Sequence, residues 1–143
     1  MVTRQQWYRW HPIRVMLVLL MLVLSALVGR GAQAASTCSV TYTNVNQWDI
    51  GFQASVDIKN AGSAPINGWT LAFTFPATQR VTSGWNATWT QAAGSAGVTA
   101  TNLDYNKTIG GASSVDLGFN GSWAGSNPPP TNFTLNNTNC STG

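Results

Sequence analysis

The stretch Ile50-Gly51-Phe52-Gln53-Ala54-Ser55-Val56-Asp57-Ile58 alternates apolar side chains with small or polar ones. A period of two places Ile50, Phe52, Ala54, Val56 and Ile58 on one face and Gly51, Gln53, Ser55 and Asp57 on the other, the pattern of a β-strand with one buried side. Asn60-Ala61-Gly62-Ser63 breaks the alternation. A second strand runs through Trp69, Leu71, Phe73 and Phe75 and stops at Pro76, which has no N–H for a ladder. Trp69 shares the face of Leu71, Phe73 and Phe75 and is assigned to the core. Weaker strands are expected near Cys38–Val45, Arg80–Thr82, Ala87–Gln91, Gly97–Thr101, Ser113–Phe119 and Thr131–Asn136. No sustained helical stripe follows residue 34. Short strands separated by Gly, Asn, Pro and Ser predict an all-β chain, an antiparallel β-sandwich of the immunoglobulin-like or jelly-roll type. Asn127-Pro128-Pro129-Pro130 is read as a stiff crossing inside this domain, because Phe133 and Leu135 resume the alternation after it.

The N-terminus has a different grammar. Residues 1–34 carry a basic start (Arg4, Arg9, His11, Arg14), an apolar run from Val15 to Val28 and a small-x-small exit at Ala32-Gln33-Ala34. That is a secretory signal peptide, too short in its apolar part for a spanning helix. The expected organisation is therefore a signal peptide over 1–34 and one domain over 35–143, secreted and extracellular, with no membrane association once the leader is removed.

Setting the leader aside reverses the charge. The full chain carries +3, but from residue 35 onward only Lys59, Arg80 and Lys107 face Asp49, Asp57, Asp104 and Asp116, with no Glu and no His. Three scattered cations cannot neutralise a row of phosphates, so nucleic acid is excluded as a partner. A zinc site or a His-based relay lacks its ligands and bases, and no metal or other cofactor is expected. The polar content is uncharged instead, with 13 Asn and 16 Thr in the same span. A neutral, hydroxyl-rich partner suits that surface; so does a secreted β-protein that merely uses Thr in strands and Asn in turns. Six Asn-x-Ser/Thr sequences, starting at Asn86, Asn106, Asn120, Asn132, Asn136 and Asn139, follow from the same richness.

Cys38 and Cys140 bracket the domain, and an even pair in an exported chain is expected to form a disulfide. Closing a loop of about 100 residues contributes about 4–5 kcal/mol in the chain-entropy description. It also requires the first and last strands to lie side by side.

Five tryptophans remain after the leader: Trp48, Trp69, Trp85, Trp89 and Trp123. Trp89 is expected in or at the edge of the core, and Trp123, in a loop after Asn120-Gly121-Ser122, is left open. Trp48 and Trp85 stand among small or polar neighbours, in Asn46-Gln47-Trp48-Asp49 and Ser83-Gly84-Trp85-Asn86, as does Tyr105 in Asn102-Leu103-Asp104-Tyr105-Asn106. Aromatic rings beside amides suit sugars: the ring stacks on the C–H face of a pyranose while Asn and Gln bond its hydroxyls. A turn aromatic packed back on the sheet edge has the same local sequence.

Cys38, Asn46-Gln47-Trp48, Gly51-Phe52, Val56-Asp57-Ile58-Lys59-Asn60, Ile66-Asn67-Gly68-Trp69, Phe73-Thr74-Phe75-Pro76, Trp85-Asn86, Tyr105-Asn106, Gly118-Phe119-Asn120-Gly121, Phe133-Thr134-Leu135-Asn136 and Cys140 follow one another in an order and spacing that resembles a bacterial family 2 carbohydrate-binding module. Such modules are the cellulose-binding domains attached to actinobacterial cellulases, xylanases and chitinases. The resemblance implies a β-sandwich with paired terminal cysteines that binds insoluble polysaccharide as a monomer. It further implies that Trp48, Trp85 and Tyr105 are three aligned rings, with Asn46, Gln47 and Asn106 as polar helpers. Tyr105 replaces the Trp that is commoner at the third place. In the xylan-binding branch an Arg three residues after the first Trp props that ring upright; Gly51 at this offset points to the branch that binds crystalline cellulose, or chitin, on a flat row.

Catalysis is not expected. Glycoside hydrolysis uses an acid and a base or nucleophile about 5–10 Å apart, and the four Asp read as solvation and loop hydrogen bonds. Part of a glycoside hydrolase, a xylan binder and a structural sandwich without a glycan role are the alternatives. The sequence ends three residues after Cys140, which fits a standalone module and a piece of a larger hydrolase alike.

Overall fold

The computed structural model describes residues 36–143, so the leader read at 1–34 lies outside them. Twelve strands follow in order: β1 (Cys38–Trp48), β2 (Gly51–Asn60), β3 (Ile66–Asn67), β4 (Thr70–Thr74), β5 (Arg80–Trp85), β6 (Thr88–Thr90), β7 (Gly97–Thr101), β8 (Thr108–Ile109), β9 (Ser114–Ser122), β10 (Phe133–Leu135), β11 (Thr138–Asn139) and β12 (Ser141–Thr142). They form two five-stranded sheets, β12-β1-β2-β9-β5 and β11-β10-β4-β7-β6, and a small β3-β8 ribbon. All neighbours are antiparallel except β1 and β12. The sequence located the longer strands but ended β1, β5 and β9 three residues early, at Val45, Thr82 and Phe119, and missed the two-residue ones, where two side chains show no period.

Each sheet buries one face. In β2, Phe52, Ala54, Val56 and Ile58 are fully buried and stand opposite Gly121, Phe119, Leu117 and Val115 of β9. Ile50 is a correction: expected on that buried face, it lies in the two-residue turn between β1 and β2 and is 67% exposed. The alternation starts only where pairing starts, at Gly51. Between the sheets, Phe119 of the first meets Phe73 of the second and Phe75, just beyond the end of β4, with ring centroids 6.3 and 6.0 Å apart. Phe73 and Phe75 meet edge to face at 5.2 Å, an arrangement aromatic quadrupoles favour. Tyr42 packs against Phe73, Phe119 and Phe133, and burial pushes its phenol pKa upward. Trp69 is core as expected, with its indole N–H donating to the Asn106 carbonyl at 2.9 Å.

Cys38 and Cys140 are bonded, with Cα atoms 4.8 Å apart. The bond pins the chain ends where β12 pairs with β1. The proline crossing belongs to the domain: Pro130 is buried, and the buried Gln79 donates to the Pro128 carbonyl at 2.6 Å. Among the described residues no helix is long and apolar enough to cross a membrane.

Candidate functional site

The outer face of the first sheet carries the residues opposite in phase to its core. On β2 these are Gly51, Gln53, Ser55 and Asp57, and on β9 their partners Ser122, Asn120, Gly118 and Asp116. Trp48 pairs with Gly51 and Trp85 with Gly118, so both tryptophans project on this side. Neither follows from its own strand's alternation. In β1 the even residues Cys38, Val40 and Tyr42 face inward until the register shifts between Asn44 and Asn46; Asn46 and Trp48 then face outward. In β5 the shift between Val81 and Ser83 turns Ser83 and Trp85 outward in the same way. A β-bulge inserts one residue and reverses the phase of everything after it.

Glycines receive the rings. A Cβ at Gly51 would collide with the indole of Trp48, and one at Gly118 with the indole of Trp85. Each indole therefore sits against a bare Cα on the outer face and stays open to solvent; Trp48 is 49% and Trp85 37% exposed. The two seats are four residues apart along β9 and its partner, about 13–14 Å at a strand's rise. Between them lies a polar row, Asn46, Gln53, Asn120 and Ser83, in direct cross-strand register. Asn120 donates to the Ser83 hydroxyl at 3.2 Å.

Tyr105 lies on the 3-10 turn Asp104–Asn106 and is 72% exposed. Its hydroxyl donates to Asn86 Oδ1 at 2.7 Å, immediately after Trp85, and Asn86 Nδ2 donates to the Asp116 carbonyl of β9 at 2.9 Å. Trp48, Trp85 and the Asn86–Tyr105 pair thus follow one another along the β9 direction, from Ser122 to Gly118 to Asp116.

The other expected residues divide. Asn46 stands on the outer face, its Oδ1 accepting from the Gln47 amide at 2.9 Å. Gln47 alternates away from Trp48, and its Oε1 accepts from Asn127 Nδ2 at 3.0 Å. Asn106 is half-buried; its Oδ1 accepts from the Leu103 amide at 2.8 Å and its Nδ2 donates to the Asn86 carbonyl at 2.6 Å. Trp89 is half-buried against Phe119, at 4.9 Å between centroids. Trp123, left open by the sequence, braces the β1–β2 turn: its amide donates to the Ile50 carbonyl at 3.0 Å and its ring packs on the core. Gln53, Asn120 and Ser83 went unread as residues of this face, and Asn86 was read only as an amide beside Trp85. The outward side of Gln53 was visible in the β2 alternation; the others required the pairing of distant strands.

The electrostatics are mild. Asp57 and Asp116 face each other across β2 and β9 on the open sheet surface, and Asp116 accepts from the Ser55 hydroxyl at 3.1 Å. The Arg80 guanidinium is engaged by the carbonyls of Ser95 and Ala92 at 2.7 and 3.0 Å. Among the described residues no three His, Cys, Asp or Glu gather to hold a metal.

A small disulfide-closed sandwich whose exposed large aromatics are Trp48, Trp85 and Tyr105 has the form of a carbohydrate-binding module rather than a catalytic domain. The chain belongs to the cellulose binding domain family, whose pattern matches residues 38–140. It is 56% identical over 119 residues to "Endoglucanase CelA" of Streptomyces lividans, a match covering 82% of this chain and 25% of that protein. It is 50% identical over 108 residues to "Exoglucanase B" of Cellulomonas fimi, covering 76% of this chain and 10% of that one. The chain thus spans a quarter or less of these relatives. Among solved structures, the chitin-binding domain of Chi18aC from Streptomyces coelicolor superposes with a TM-score of 0.60 at 37% identity, covering 74% of this chain and 96% of that domain.

Proposed function

We propose that residues 35–143 form a secreted module that adsorbs to a crystalline polysaccharide, cellulose first, by stacking Trp48, Trp85 and Tyr105 on its flat face. The observation that carries this reading is the pair of glycine seats: with no side chain at Gly51 or Gly118 the indoles settle against the sheet, an arrangement that suits a lattice better than a single twisted chain. Asn46, Gln53, Asn120 and Ser83 supply amide and hydroxyl groups to sugar hydroxyls between the rings. Gln47 and Asn106 act behind the face, as braces. Membership of the cellulose binding domain family supports cellulose, and the likeness to an endoglucanase and an exoglucanase supports a role in holding a hydrolase on its solid substrate. Chitin is the second reading, favoured by the likeness to the Streptomyces coelicolor domain. Residues 1–34 are the export leader.

The test is depletion from solution by microcrystalline cellulose, chitin and insoluble xylan. Cellulose is expected to retain the protein best. Alanine at each ring is expected to weaken retention by about 1–3 kcal/mol, the scale of stacking on aromatic side chains. Retention should change little with salt, since adsorption by uncharged rings is not screened. An isotherm on cellulose unchanged in the triple alanine variant overturns the reading.

A further inference from the structure

We propose that Asn86 is the positioning residue that fixes the Tyr105 ring as the third element of the aromatic face, a role that rests on the platform reading above.

Asn86 directly follows Trp85 and has φ of 60°, in the left-handed region that Asn tolerates better than most residues with a side chain. This conformation ends β5 and lets one residue meet three partners. Its Nδ2 donates to the Asp116 carbonyl at 2.9 Å, its Oδ1 accepts the Tyr105 hydroxyl at 2.7 Å, and its carbonyl accepts Asn106 Nδ2 at 2.6 Å. The 3-10 turn bearing Tyr105 buries none of its own residues. Packing therefore does not hold that ring, whereas Trp48 and Trp85 rest on the sheet. What orients it is the chain of hydrogen bonds from β9 through Asn86 to the phenol.

The consequence is specific to tyrosine. A phenylalanine at 105 keeps the π face but has no donor for Asn86 Oδ1, and so lacks the tether. A ring free to rotate loses that freedom when it stacks on a rigid solid, and the loss is subtracted from binding; a ring already held avoids it. Asn86 thus acts on affinity without needing to touch the glycan.

The experiment is a double-mutant cycle read by adsorption isotherms on microcrystalline cellulose and on chitin. Tyr105→Phe and Asn86→Gly, the latter compatible with positive φ, are each expected to weaken retention about fivefold, the worth of one neutral hydrogen bond. The double variant is expected to be no weaker than the weaker single one, because both changes cut the same bond. Side-chain 13C relaxation at position 105 should report a more mobile ring in both single variants. Losses that multiply in the double variant would mean that the hydroxyl acts directly on the sugar, and would overturn the proposal; so would parent-like retention in Tyr105→Phe. Thermal melts check folding, and if Asn86→Gly fails to fold, Tyr105→Phe alone decides. Tyr105→Ala separates the two readings. If it leaves retention unchanged, Tyr105 is not in the platform at all. If it weakens retention while Tyr105→Phe and Asn86→Gly do not, only the positioning role falls.

Discussion

Glycine at 51 and at 118 shapes the aromatic face as much as the tryptophans above it. Any side chain at either position occupies the volume of an indole ring, so even one methyl group must lift or tilt the ring it meets. Gly51→Ala and Gly118→Ala are therefore expected to weaken adsorption to cellulose toward the level of Trp48→Ala and Trp85→Ala respectively. Isotherms and thermal melts measured together check this; a pair of variants that binds like the parent would mean the rings need not lie flat. Trp69→Ala provides the contrast. That indole is buried and hydrogen-bonded to Asn106, so its removal is expected to cost about 3–5 kcal/mol of stability in a urea titration. The distinction between Trp69 and Trp48 was legible in the sequence, because Leu71, Phe73 and Phe75 share one's face and amides flank the other. Asn86 was legible only as an amide beside Trp85, not as a partner of Tyr105. Its importance comes from a positive φ and from partners 19 to 30 residues away, neither of which leaves a local trace.

Strands explain which part of the site could be read and which could not. β2 is regular, and its alternation announced its buried face from Phe52 to Ile58. β1 and β5 each contain a register shift just before the tryptophan they deliver. Extending their phase from Val40 and Tyr42, or from Val81, puts Trp48 and Trp85 inside the sandwich; the extra residue puts them outside. Only the polar neighbours of those tryptophans pointed outward, and they gave the right side without the mechanism. The inward part of β1 makes its own prediction. Tyr42 is held among Phe73, Phe119 and Phe133, and burial raises its pKa in the folded state. The unfolded phenol ionises near pH 10. Above that pH the unfolded chain has released a proton that the folded chain keeps, so stability is whole below about pH 10 and falls as pH rises further. Denaturation series between pH 8 and pH 11 should show the fall in the parent and a shallower one in Tyr42→Phe; parallel curves would place the titration elsewhere.

The molecule as a whole has two unlike outer faces. The first sheet shows rings and amides. The second shows short hydroxyls in register, Thr70 opposite Thr101 and Ala72 opposite Thr99, with Thr134 beside Ala72. Its exposed side carries no Trp, Tyr or Phe, since Phe73 and Phe133 point inward. A flat solid can touch only one of these faces at a time, and the proposed adsorption sets it on the rings. A long side chain then has opposite consequences on the two sides. Asn120→Lys stands a flexible, strongly hydrated group between Trp48 and Trp85, where it must be desolvated or must hold the rings off the lattice; losing contact with about one ring lowers retention about tenfold. Thr99→Lys, on the second sheet, is expected to leave the isotherm on microcrystalline cellulose as it was, although it adds the same charge. The matched pair removes net charge as an explanation, because both variants differ from the parent by one cation. Equal losses in the two would mean that the second sheet also meets the solid, and the one-faced account of adsorption would fail.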